Sequence, residues 1–122
     1  MPSITEARHT GEFILSEANF HRSREVVTLS DSIAIKAGQV LGKVTADGKY
    51  GYYNEATNLP AGTNVAVCIA LNAKSATDTN RKIAVIFRDA EVNGKCLEWN
   101  GESTPNIAAG VTDLLTPRII VR

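Results

Sequence analysis

Few side chains in this 122-residue chain have the type and spacing for chemistry. Its two histidines, His9 and His21, lie in a polar N-terminal stretch without hydrophobic period. A general base has to be held in place by packing. Nothing around these two would do that, so both read as exposed histidines. Asp89 and Glu91 flank Ala90 in "RDAEVNG". Residues two apart on a strand share a face, and paired carboxylates can hold a cation or share a proton. The plainer reading is a solvated face neutralised by Arg88 and by Lys95 across a hairpin. Cys68 and Cys96 are far apart, each inside an apolar stretch, with no Cys or His at metal-ligand spacing. They read as two buried thiols in a reducing cytosol rather than a disulfide or a metal site. No phosphate loop is present, neither GxxxxGK[ST] nor a GxGxxG opening a helix. Tyr50, Tyr52 and Tyr53 can form a stacking platform, but lysine and arginine are sparse around them. Tyr50 and Tyr52 share one strand face and Tyr53 takes the other, which favours core and interface roles. Lys49, beside Asp47-Gly48, is the one lysine placed like that of a lipoyl or biotinyl carrier, and "DGKYG" lacks the flanks of such a site. The expectation is no catalytic, cofactor-binding or metal-binding residue, and no enzyme.

Thirteen basic residues balance thirteen acidic ones. No basic patch points to nucleic acid or an anionic membrane. No apolar run approaches the roughly 20 residues needed to span a bilayer, and MPSITEARHTGE lacks the basic and apolar regions of a signal peptide. The length suits one domain.

The elements that would position side chains are mostly strands. Residues 1–10 are polar and aperiodic and read as a disordered terminus. Val26 to Leu29 reads as a strand, and Lys36-Ala37-Gly38 as a turn. Gln39 to Thr45 reads as a strand whose internal Gly42 marks a bulge or a close backbone approach. Ala46-Asp47-Gly48 is a hairpin turn leading back into Lys49 to Tyr53. Residues 54–64 and 72–80 are loops. Val65 to Leu71 is apolar throughout, as in a strand buried on both faces. Arg81 to Arg88 is the clearest strand, continuing toward Glu91-Val92. Asn93-Gly94 predicts a two-residue hairpin into a strand ending at Trp99. Trp99 there is a core or subunit-contact anchor. Ser103 or Thr104 caps a helix with Pro105 at its first position; Gly110 weakens that helix by about 1 kcal/mol, and Pro117 ends it. Arg118 to Arg122 is a terminal strand. The fold class is mainly β, a β-clip-like small barrel with one short C-terminal helix and a flexible N-terminal arm. The arm covers residues 1–25 and the domain 26–122, the boundary falling near Arg24 to Val26.

Taken in order, "GEFILSEAN…RSRE", "IKAGQVLGKVT…GKY", "VIFRDAEVNG" and the closing "IIVR" resemble the lambda-type bacteriophage head decoration proteins, over residues 11 to 122. The resemblance lies in the ordered set of segments. It departs at Asn19-Phe20-His21, where relatives look glycine-like, and over Asn100 to Gly110, which is more polar than the family's helix. It implies a non-enzymatic homotrimer that binds the major capsid protein on the outside of the expanded head at local three-fold positions. It further implies a protein made in the bacterial host cytoplasm and carried on the virion, cementing the shell against packaged DNA. The arm would then dock through Phe13, Ile14 and Leu15, with Phe13 and Leu15 on one face and Ile14 on the other. Glu17, Arg22, Arg24 and Glu25 would make polar contacts. An alternative that fits the same elements is a β-clip or carrier-like accessory domain binding a small ligand or peptide.

Overall fold

The strand expected over Arg81 to Arg88 forms over Lys82–Ile86. A computed structural model describes Glu6 and residues 9–122. In chain order its elements are β1 (Ile14–Glu17), β2 (Arg24–Thr28), β3 (Val40–Lys43), β4 (Tyr50–Tyr52), β5 (Cys68–Ala70), β6 (Lys82–Ile86), β7 (Ala90–Val92), a 3-10 turn at Gly94–Cys96, α1 (Thr104–Leu114) and β8 (Ile119–Val121). One sheet has the order β2-β6-β5-β3-β4 and is antiparallel throughout. The other has the order β1-β7-β8, with β7 and β8 parallel. Among the described residues, no helix is long and apolar enough to cross a membrane.

The five-stranded sheet separates two cores, which explains its unbroken apolar runs. Side chains alternate across a strand. On β6, Ile83 and Val85 enter one core while Ile86 enters the other. Neighbouring strands divide the same way: Ile69, Val40 and Tyr53 face one side, and Cys68, Leu41 and Tyr50 the other. The tyrosines therefore split as their spacing predicts. The first core lies between the two sheets and includes Phe13, Val92, Leu114 and Ile119. The second fills the curl of the five-stranded sheet around Leu29 and Ile35. Each large side chain so buried contributes about 1.5–3 kcal/mol of transfer free energy. The curl stops short of a closed barrel. Leu29 bridges to Tyr50, and Ser30 N–H donates to Tyr50 O at 2.8 Å, but no ladder joins β2 to β4 along their lengths. Arg81 ties down the loops at that end, donating to the carbonyls of Ser30, Ile33, Ser75 and Asp78 at 2.6–3.2 Å.

Gly42 marks a close backbone approach, as its place inside a strand predicts. A Cβ there would lie 2.8 Å from Thr63 Cα and 2.8 Å from Thr63 O. Backbone cannot yield as a side-chain end can, so the site excludes every residue but glycine.

Three expectations are corrected. The flexible arm does not extend to residue 25. Phe13 is 1% exposed in the first core, Phe13 O accepts from Asn93 N–H at 2.7 Å, and β1 pairs with β7. Residues 1–5, 7 and 8, where most of the expected disorder falls, lie outside the described residues. Next, Phe13 and Leu15 do not share a face. Phe13 precedes β1, and a register shift between Ile14 and Ser16 breaks the alternation, leaving Leu15 exposed. Finally, Asn93-Gly94 makes no hairpin. Asn93 has φ −86° rather than the positive value of a two-residue hairpin turn. Its side chain accepts from Lys95 N–H at 3.0 Å and starts the 3-10 turn. Trp99's segment instead crosses to β3, where Val40 N–H donates to Glu98 O at 3.0 Å.

Candidate docking surface

The turn from Ala18 to Ser23, between β1 and β2, is built from its backbone outward. Ala18 N–H donates to Asp89 O at 3.1 Å, and Phe87 N–H to Ser23 O at 2.8 Å. Ser23 is buried and donates its hydroxyl to Glu17 Oε2 at 2.7 Å. Glu17 also takes a two-pronged contact from Arg24, with Nε at 3.0 Å and Nη2 at 2.6 Å. That guanidinium holds the Glu17 carboxyl below its ordinary range, Ser23 assisting and partial burial opposing; Arg24 is raised in return. Between these anchors, Phe20 stands 93% exposed with φ +60°. This left-handed conformation is unfavourable for a bulky residue and natural for glycine. It accounts for the glycine-like departure noted at Phe20.

An ion-pair group sits beside the turn. Asp89 accepts from Arg118 Nε at 2.5 Å and pairs with Arg22 Nε at 3.6 Å. Arg88 donates to Arg22 O at 2.7 Å and to Glu25 Oε1 at 2.6 Å. Glu91 is held by Arg122 at 3.0 Å. Asp89 and Glu91 are thus paired by Arg118 and Arg122, which flank β8, and by Arg22 of the turn; Arg88 acts on Asp89 as expected, while the hairpin expected to bring Lys95 across is not formed. The Arg118 guanidinium, then Arg22 and Arg88, hold the Asp89 carboxyl below its ordinary range, and Arg118 is raised.

Asp89 ionises more readily folded than unfolded. Its contribution to stability is complete above the ordinary carboxylate pKa of about 4 and is lost as pH falls through the depressed folded value. Asp89→Asn is expected to lower the thermal midpoint at pH 7, and its difference from the parent should vanish as both are acidified toward pH 2. Melts followed by circular dichroism across that range check this. A difference unchanged by acid would mean that the charge is not what Asp89 supplies.

Of the residues expected to dock, the structure groups Glu17, Arg22, Arg24 and Glu25 at one end of the molecule, already paired within the chain. Phe13 and Ile14 serve the core, Ile14 at its margin. Trp99 packs edge-to-face on Tyr53 with centroids 5.7 Å apart, half-buried against α1. Sequence reasoning missed Phe20, whose exposure depends on a turn with no periodic signal, and Arg118, whose partner is 29 residues away. Both cysteines are free; Cys68 is buried, which pushes its thiol pKa up, and Cys96 is half-buried. Among the described residues no group of three or more His, Cys, Asp or Glu could hold a metal ion. Neither His9 nor His21 is buried.

A family model for the bacteriophage lambda head decoration protein D matches residues 3–116. The chain belongs to that family. Membership makes it a structural protein of a phage capsid, in agreement with the resemblance carried by the ordered segments. The curated proteins include no match to it.

Proposed function

We propose that the protein forms homotrimers on the exterior of an expanded phage head, at local three-fold positions, and stabilises the shell against packaged DNA. The single observation that carries this reading is the family match over residues 3–116. A ligand of the assembled shell that ignores free capsid subunits stabilises the shell by mass action. Three equal sites multiply a weak contact by avidity, and a closed ring prevents growth into fibres. The host cytoplasm is the place of synthesis and the outer capsid surface the place of action. This reading gives the protein no enzymatic role.

The docking end is the one carrying Leu15, Phe20, Arg22, Arg24 and Glu25. Phe13 and Ile14 root the chain before it in the core. Exposing a large aromatic side chain from a strained turn costs stability, so contact with a partner is what it serves. Phe20→Gly separates stability from docking. Relief of the left-handed strain, about 1–2 kcal/mol, should leave the fold at least as stable. Loss of a central aromatic anchor should weaken binding to expanded shells about tenfold or more. Cosedimentation with undecorated expanded shells measures this; parental affinity in the glycine variant would place docking elsewhere.

A further inference from the structure

Two crossings between the sheets run side by side at the docking end. Residues 18–23 carry the chain from β1, in the three-stranded sheet, to β2, in the five-stranded one, and residues 87–89 carry it back from β6 to β7. Their main chains are bonded to each other. Ala18 N–H donates to Asp89 O, and the N–H groups of Phe87 and Arg88 both donate to Ser23 O. Within the turn, Arg24 N–H donates to His21 O at 3.1 Å. None of these bonds falls on Asn19 or Phe20. A left-handed residue other than glycine persists only where its surroundings over-determine it. Phe20 has φ +60° and stands exposed, with no packing of its own. What holds it must therefore lie in the rest of the turn.

Glu17 closes the neck of that turn. It is the last residue of β1, and Arg24 is the first of β2. Its Oε2 accepts both the Ser23 hydroxyl at 2.7 Å and Arg24 Nε at 3.0 Å, while Oε1 accepts Arg24 Nη2 at 2.6 Å. Two bonds to one guanidinium fix direction as well as distance. The strands do not depend on this clamp, since Glu17 pairs with Ala90 and Arg24 with Ile86 in their ladders. Ser23 is fully buried and the Glu17 side chain is only 23% exposed, so neither has much surface to offer a partner.

We infer that Glu17 is a positioning residue: through Ser23 and Arg24 it holds the turn in the shape that presents Phe20 to the shell, without meeting the shell itself. This role rests on the docking reading of Phe20. A turn already in its bound shape does not have to be ordered on contact. Where only a fraction of the molecules hold that shape, affinity falls by the same fraction.

Glu17→Ala opens the clamp, and Ser23→Ala weakens it from a buried position that no shell can touch. In the free protein, the backbone order parameter of Phe20 from NMR relaxation should drop from the roughly 0.85 of rigid backbone to below about 0.6 in Glu17→Ala. On expanded, undecorated shells, Glu17→Ala is expected to bind about fivefold or more weakly than the parent. Ser23→Ala, the milder change, should shift both readouts in the same direction, and it carries the test should Glu17→Ala not fold. Phe20→Gly removes both the strain and the side chain to be presented. Adding Glu17→Ala to it should therefore cost no more than about twofold further, the non-additivity of residues that act through one another. A Phe20 amide as rigid in Glu17→Ala as in the parent, or parental affinity in that variant, would overturn the positioning role. Losses that multiply in the double variant would also overturn it, by making Glu17 a contact in its own right. Parental affinity in Phe20→Gly alone would instead overturn the docking end on which the role rests.

Discussion

Phe13→Ala is expected to lower the free energy of unfolding by about 3–5 kcal/mol, the usual cost of emptying a fully buried aromatic site. Phe13 is 1% exposed and packs in a core shared with Val92, Leu114 and Ile119, so the cavity would open where the two sheets and the helix meet. Domains of this kind have only about 5–15 kcal/mol in total. The loss would therefore bring the variant near the limit of folding at physiological temperature. A residue on a free arm would cost within about 0.5 kcal/mol, so the variant discriminates sharply. Chemical denaturation is the measurement: the midpoint should fall at unchanged slope. Leu15→Ala, two residues on and exposed, is the matched control and should move the midpoint little.

Gly110→Ala is expected to destabilise the protein by about 1–3 kcal/mol, the cost of overpacking, although helix propensity alone favours alanine by about 1 kcal/mol. A Cβ at position 110 would lie 2.6 Å from Trp99 Cζ3 and 3.0 Å from Tyr53 Cε1. Trp99 is half-buried and has some room to move. Tyr53 is fully buried, and its hydroxyl donates to Asn106 O on the same helix at 2.8 Å, so it cannot retreat. Removing the indole should relieve much of the conflict. In a Trp99→Ala background the Gly110→Ala penalty should shrink, a coupling read from the double-mutant cycle. A stabilised single variant would show that propensity, not packing, decides at this position.

Periodicity made most strands legible. Ile83, Val85 and Ile86 announce a strand buried on both faces because the sheet lies between two cores, and both cores demand apolar side chains. Gly42 was legible for the same local reason, since only a close backbone approach justifies a glycine inside a strand. The errors arose where long-range pairing overrode a local pattern. Asn93-Gly94 has hairpin composition, yet β7 already has β1 on one side and β8 on the other, which leaves no edge for a returning strand. The segment from Phe13 reads as an arm because its partner β7 lies more than 70 residues away, and no local signal announces such a pairing. Gly110 reads as a weakness of the helix, and only the contact with Trp99 and Tyr53 shows it to be a requirement. The charged residues Glu17, Arg22, Arg24 and Glu25 stood out in the sequence. Their pairing did not, because Asp89 meets Arg118 and Arg22 only after β7 and β8 are aligned.

The central claim is that this chain decorates an expanded phage head from outside. Purified protein should be mixed with expanded, undecorated shells and imaged by electron microscopy. Added density in threes on the outer surface at local three-fold positions, with shells that then survive harsher heating, is the predicted result. Shells left bare at saturating protein concentration would contradict it.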